Sequence, residues 1–117
     1  MPTALSLKPF IPSGPDFDRA KAFFVDLGFT IAWEADGYAE LRLGAVSFIL
    51  QRFDNPEMQS NLMMLVLVDD LDGWWKHVEQ SGVVERYGVA ARPPTVYPWG
   101  QREVHVIDPA GVCWHFA

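Results

Sequence analysis

Between Pro98 and Phe116 the chain reads PWGQREVHVIDPAGVCWHF. This stretch concentrates the residue types that do chemistry: Glu103, His105, Asp108, Cys113 and His115, with Trp99 and Trp114 among them. Imidazole, thiol and carboxylate groups ligate divalent metals, move protons or line polar pockets. Their relative positions depend on DPAG. Asp, Pro and Gly at the first, second and fourth places suit a type I turn closed by a left-handed glycine. Such a turn sets His105 opposite His115. Alternation then puts Gln101, Glu103, His105, Ile107, Cys113 and His115 on one face, and Arg102, Val104, Val106, Val112, Trp114 and Phe116 on the other. The first face would line a cleft and the second would lie under helices. A slip of one residue would part the two histidines.

Two readings of the polar face stand side by side. Two histidines and a glutamate can hold a divalent metal. Equally, each histidine can be neutral and hydrogen-bonded in a polar pocket wall. No HxxxH or CxxC element adds weight to the metal. Cys113 and His115 are two apart on one strand, a spacing of neighbours rather than of a nucleophile and its base, so Cys113 reads as a buried, inert thiol. Trp99, after Pro98 and before Gly100, reads either as a rim platform that stacks on a ligand or as a plug that packs its loop onto the body of the fold. Trp33 and Tyr38 are further cleft aromatics, with core packing as their alternative. Trp74 and Trp75 are adjacent on a helix and cannot share a face. His77 reads as a solvated helix residue.

The elements that would carry these side chains occur twice. Residues 4–12 read as an extended strand limited by Pro9 and Pro12, hence an edge strand or one leaving the body of the fold. Asp16 caps a helix with Phe17, Ala20, Phe23, Phe24 and Leu27 at helical spacing, and Gly28 stops it. FTIAWEA, YAELRL and VSFILQRF follow as strands, and DNPEMQSN as a linker. Then LMMLVLV is a buried strand, DDLDGWWKHVEQSG a helix, and VVERYGVAA, QREVHVI and VCWHFA three strands. The fold class is α+β: two βαβββ modules, about 1–54 and 60–117, forming one domain over 1–117, a curved mixed sheet with a cleft and helices outside. GYAELRLG (37–44) resembles GQREVHVI (100–107), so Glu40 answers Glu103 and Arg42 answers His105.

Composition narrows the function. A net charge of −6 over 117 residues argues against a nucleic-acid binder, which needs clustered Lys and Arg. One cysteine permits no internal disulfide and fits a reducing compartment. The N-terminus lacks the basic start and apolar run of a secretory signal. LMMLVLV is too short to span a bilayer. A cytoplasmic protein with no membrane partner is expected.

With the duplicated βαβββ pattern and PWGQRE…DPAGVCWHF in place, the chain resembles the glyoxalase, bleomycin-resistance and extradiol-dioxygenase (vicinal oxygen chelate) superfamily over nearly its whole length. DFDRAKAFFVDLGF is similar to that family's first helix, and LVLVDDLDGWWKHV to its second strand and helix. Within it the chain looks most like the bleomycin-resistance branch, whose members bind antibiotic in dimer clefts and do no chemistry. The N-terminal strand near Pro9 is similar to the arm such proteins exchange between subunits. The resemblance implies a homodimer with strand exchange that sequesters a small molecule, most of all a bleomycin-type antibiotic. The ligand-binding residues would be Trp33, Tyr38, Glu40, Gln51, Met63, Trp99, Glu103, His105 and His115. Aromatics would stack on flat rings and acids would attract a cationic tail.

The superfamily's metalloenzymes place a ligand on each of four strands. The resemblance puts those positions near Lys8 to Phe10, at Gln51, near Met63 and at His115, an incomplete set for a hard divalent ion. Glu103 and His105 fall outside that pattern. No cofactor, no metal and no catalytic residue are therefore expected. The alternatives are a metal-dependent lyase, isomerase or dioxygenase of the glyoxalase type, with the ion at His115, or a binding module for another metabolite.

Overall fold

Hydrophobic alternation and glycine punctuation repeat along the chain, and the computed structural model, which describes all 117 residues, repeats with them. The first half contains β1 (Phe10–Pro12), α1 (Phe17–Leu27), β2 (Thr30–Ala35), β3 (Tyr38–Leu43) and β4 (Val46–Gln51). A short helix α2 (Pro56–Asn61) leads to the second half: β5 (Met63–Val66), α3 (Leu71–Ser81), α4 (Val83–Tyr87), β6 (Ala91–Val96), β7 (Arg102–Ile107) and β8 (Cys113–Phe116). Each half forms its own four-stranded mixed sheet. The orders are β1-β4-β3-β2 and β5-β8-β7-β6, with the first pair in each parallel and the others antiparallel.

The helix ends follow their capping residues. Asp16 Oδ1 accepts from Arg19 N at 3.0 Å, and Asp70 Oδ1 accepts from Gly73 N at 2.9 Å. Gly28 (φ +122°) and Gly82 (φ +73°) end α1 and α3 in conformations that disfavour a side chain. A Cβ on Gly28 would also stand 2.9 Å from His77 Nε2.

His77 is an exposed residue of α3, as expected, and it also makes a contact that the sequence did not show. Its Nε2 lies 2.6 Å from Leu27 O, and its ring lies 5.1 Å from that of Trp74. As the donor tautomer it satisfies an orphan carbonyl at the end of α1 and ties α3 to it. His77→Ala should therefore lower stability by about 1–2 kcal/mol, the cost of a lost hydrogen bond and its packing. Urea unfolding would measure it, and a change near zero would mean that water replaces the imidazole.

Three expectations are corrected. VVERY is a helix, not a strand. Val83 is fully buried, Arg86 reaches Asp26 on α1 at 2.8 Å, and Tyr87 Oη donates to the same carboxylate. Left-handed glycines at 82 and 88 bound this turn, so tertiary contacts override the β preference of two valines. The strand expected there is β6, where Pro93 and Pro94 fall in a register break between Arg92 and Thr95 on the sheet edge. The linker 54–61 contains α2, capped by Asn55. Its buried Gln59 donates to Asp54 Oδ1 at 3.2 Å and to Ala110 O at 3.0 Å, fastening it to the last hairpin. The N-terminal strand is limited to Phe10–Pro12, and the first eight residues are exposed and outside any strand.

One core joins the modules. Phe24 from α1 packs edge-on against Phe48 of β4 (4.8 Å between centroids) and Trp114 of β8 (5.3 Å), while Phe48 and Trp114 lie 4.9 Å apart. Ala39, Leu41, Phe48 and Leu50 face this core from the first sheet, and Val104, Val106, Trp114 and Phe116 from the second. The alternate residues of both sheets therefore face away from the shared core.

Candidate functional site

The hairpin turn has the expected register. Asp108 N donates to Val112 O at 3.0 Å and Gly111 N to Asp108 O at 3.0 Å, so His105 pairs with His115 and Ile107 with Cys113. Asp108 is itself buried. Its carboxyl accepts from Trp114 Nε1 at 3.0 Å, Val112 N at 3.0 Å and Ala110 N at 2.9 Å. Burial nevertheless pushes it up to about 6 against those hydrogen bonds.

Glu103 organises the far face of the second sheet. Its Oε1 lies 2.9 Å from both His105 Nε2 and His115 Nδ1, and its Oε2 accepts from Trp99 Nε1 at 3.0 Å. Burial raises the Glu103 carboxyl, but hydrogen bonds from His105, His115 and Trp99 outweigh it and bring it to about 2. The aromatics form a stack on this frame. Tyr97 is 4.4 Å from His105 and 5.0 Å from Trp99, both at an interplanar angle of 12°. The two histidine rings are 4.0 Å apart.

Glu40 is the counterpart on the first sheet. Its Oε1 accepts from Trp33 Nε1 at 2.7 Å and from Lys8 Nζ at 3.2 Å, and its Oε2 accepts from Arg42 Nε at 2.9 Å. The Arg42 hydrogen bond foremost, aided by those from Trp33 and Lys8, overcomes burial and holds Glu40 at about 2. Each module thus buries one carboxylate under one indole N–H. Glu40 is matched by two cations, whereas Glu103 has two imidazoles in their place. Both carboxylates, read from sequence as attractors of a cationic ligand, already hold internal partners and position aromatic rings.

Met63, Trp99, Glu103 and His115 line one cavity of about 480 Å³ with Met64, Leu65 and Gln101. Its apolar members are open to solvent: Met63 is 63% exposed, Leu65 58% and Trp99 61%. His105 lies on the same sheet face, opposite His115 and Arg92. Trp33, Tyr38, Glu40 and Gln51 belong to the other sheet, where Glu40 pairs with Trp33 and Gln51 with Tyr38. Gln101, placed by alternation on the cleft face, does line the cavity, whereas sequence reasoning missed Tyr97 and Leu65. Tyr97 and Trp99, two apart in TVYPWG, carry the period of a strand face and were the available signal.

The folded chain is a pair of duplicated βαβ-type modules, each exposing a face built around a buried carboxylate and an indole. This chain belongs to the Glyoxalase/Bleomycin resistance protein/Dioxygenase superfamily, whose model matches residues 13–116. Among solved structures it is similar to the bleomycin-binding protein of bleomycin-producing Streptomyces verticillus complexed with copper(II)-bleomycin: 27% identity, TM-score 0.83, covering 100% of this chain and 98% of that one. A bleomycin-binding protein complexed with bleomycin has 24% identity and TM-score 0.83, with 97% of each chain covered. Lactoylglutathione lyase from Agrobacterium tumefaciens shares the fold at 18% identity and TM-score 0.64, covering 97% of this chain and 93% of that one. No curated protein matches the chain. No helix is long and apolar enough to cross a membrane.

Proposed function

We propose that the chain captures a small molecule, foremost a bleomycin-type antibiotic, without turnover, in clefts that a second copy completes. The observation that carries this reading is the separation of two half-sites. Tyr38 and Trp33 stand on one sheet, and Met63, Leu65 and Trp99 on the other, all at least partly open to solvent. Two protomers related by a two-fold axis would set one sheet of each against the other sheet of its partner, giving two equivalent clefts. The exposed Leu5 and Leu7 alternate like one face of a strand and support exchange of the N-terminal arm onto the partner. The net charge of −6 favours the approach of cationic ligands. The 27% identical bleomycin-binding protein supports the choice of ligand class.

Calorimetric titration with metal-free and copper-loaded bleomycin tests the reading. About one ligand per chain, recovered chemically unchanged, is expected. Trp99→Ala should weaken binding by about tenfold or more, because a stacking platform at an interface contributes upwards of 1.4 kcal/mol. Absence of heat and of ligand-dependent stabilisation with both forms of bleomycin would discard the antibiotic. A monomer at all concentrations in sedimentation would discard the shared cleft.

A further inference from the structure

Three donors converge beside Glu103, two of them the histidines that face the candidate cleft. One ligand atom each from His105, Cys113 and His115 can be chosen so that all lie within 4.8 Å of one another. Ligands about 2.0–2.3 Å from a common tetrahedral ion are about 3.3–3.8 Å apart, so modest side-chain rotation closes the site. All three side chains project from one face of β7 and β8.

Glu103 has already selected which nitrogens are free. Neutral His105 donates through Nε2 and neutral His115 through Nδ1, leaving a lone pair on His105 Nδ1 and on His115 Nε2. His115 Nε2 is buried and has no hydrogen-bond partner, which is costly for a polar atom. A carboxylate that accepts from the far nitrogen of a ligating imidazole fixes the tautomer and raises the basicity of the ligand. Here one carboxylate does so for two imidazoles. Glu40 differs in its partners: that buried anion is matched by Lys8 and Arg42, while Glu103 is matched by two histidines.

We propose that His105, Cys113 and His115 form a binding site for one thiophilic divalent cation of the zinc type, with Glu103 as the residue that positions both imidazoles. Two nitrogens and a sulfur suit zinc and its close analogues, and disfavour magnesium and calcium, which take oxygen ligands. On binding, the thiol transfers its proton to solvent and the sulfur lone pair forms the bond to the ion. Met63 of β5 is the strand partner of Cys113. The donors come from β7 and β8 alone, and metal uptake can be measured without any antibiotic present.

The test is titration of cobalt(II) into tag-free protein, followed by absorbance, with zinc then added as competitor. Saturation at about one cobalt per chain, a thiolate-to-cobalt charge-transfer band and displacement by zinc are expected. Cys113→Ser should abolish that band and weaken cobalt by at least about tenfold, and His115→Ala should weaken it similarly. Glu103→Gln should keep the band but weaken cobalt by about 10–100-fold, the range for loss of a supporting carboxylate. Circular dichroism verifies that each variant is folded. No saturable uptake by the native chain, uptake without a charge-transfer band, or equal affinity in Cys113→Ser would each overturn the site.

Discussion

Replacing Trp114 with alanine should lower the unfolding free energy by about 3–5 kcal/mol, the range for removing a large aromatic from a packed core. The ring contacts Phe24, Phe29 and Phe48 and is 2% exposed. Its loss opens a cavity where α1, the first sheet and the second sheet meet. It also removes the indole N–H from Asp108, leaving a buried carboxyl with fewer donors. Domains of this size are stable by about 5–15 kcal/mol, so the variant should lie near the threshold of folding. Trp114→Phe separates the two causes. It keeps one aromatic ring, loses the hydrogen bond and opens a smaller cavity, so a cost of about 1–3 kcal/mol is expected. Urea unfolding of both variants decides the matter. Equal losses would place the energy in the hydrogen bond, and a small loss for alanine would mean that the neighbouring phenylalanines collapse into the gap.

The phenylalanine variant has a pH signature as well. Asp108 sits at about 6 in the fold against an ordinary 3.8. The folded state therefore binds more protons than the unfolded state between those values, and this residue's stabilisation, complete below pH 3.8, is lost as pH rises through about 6. The Trp114 hydrogen bond opposes that upward shift. Trp114→Phe should push Asp108 higher and steepen the loss.

What was legible in the sequence depended on local chemistry. DPAG dictated a turn, the turn dictated register, and register dictated that His105 would face His115. The likeness of GYAELRLG to GQREVHVI placed Glu40 and Glu103 on equivalent strands, β3 and β7. The cap Asp16 was legible because capping is a contact within a few residues. What was not legible depended on distant partners. VVERY folds as a helix because Asp26, sixty residues away, receives Arg86. His77 is fixed by a carbonyl fifty residues away. Alternation assigned Glu103 to a polar face but gave no sign that its carboxylate would be buried and shared by Trp99, His105 and His115, since His115 comes from another strand and Trp99 from the loop before β7.

Glu103→Gln should produce the second large effect, on the site rather than on the core. The carboxylate uses one oxygen for both histidines and the other for Trp99. Glutamine has one acceptor oxygen and one donor nitrogen. If the oxygen keeps the histidines, the amide N–H₂ confronts the Trp99 N–H; if it keeps Trp99, two imidazoles lose their acceptor. Either choice leaves buried donors facing each other, at about 1–3 kcal/mol. The stack of His105, Tyr97 and Trp99 loses an anchor at one end, so tryptophan emission should shift toward that of a solvated indole. Small-molecule affinity should fall by about tenfold or more as the platform loosens. Acid sensitivity supplies a readout that simple unfolding would not give. Native Glu103 is held at about 2 against an ordinary 4.5, so its stabilisation is present above pH 4.5 and lost as pH falls toward 2. The glutamine variant lacks that titration, and its stability should decline less steeply over that interval. Glu40 is held low by Arg42, Trp33 and Lys8, so Glu40→Gln should flatten the same acid limb while leaving Trp99 emission unchanged. A Glu103→Gln variant with native emission and a native acid limb would mean that Glu103 fills space without orienting the rings, and the cavity would then owe its shape to Met63, Leu65 and Tyr97 alone.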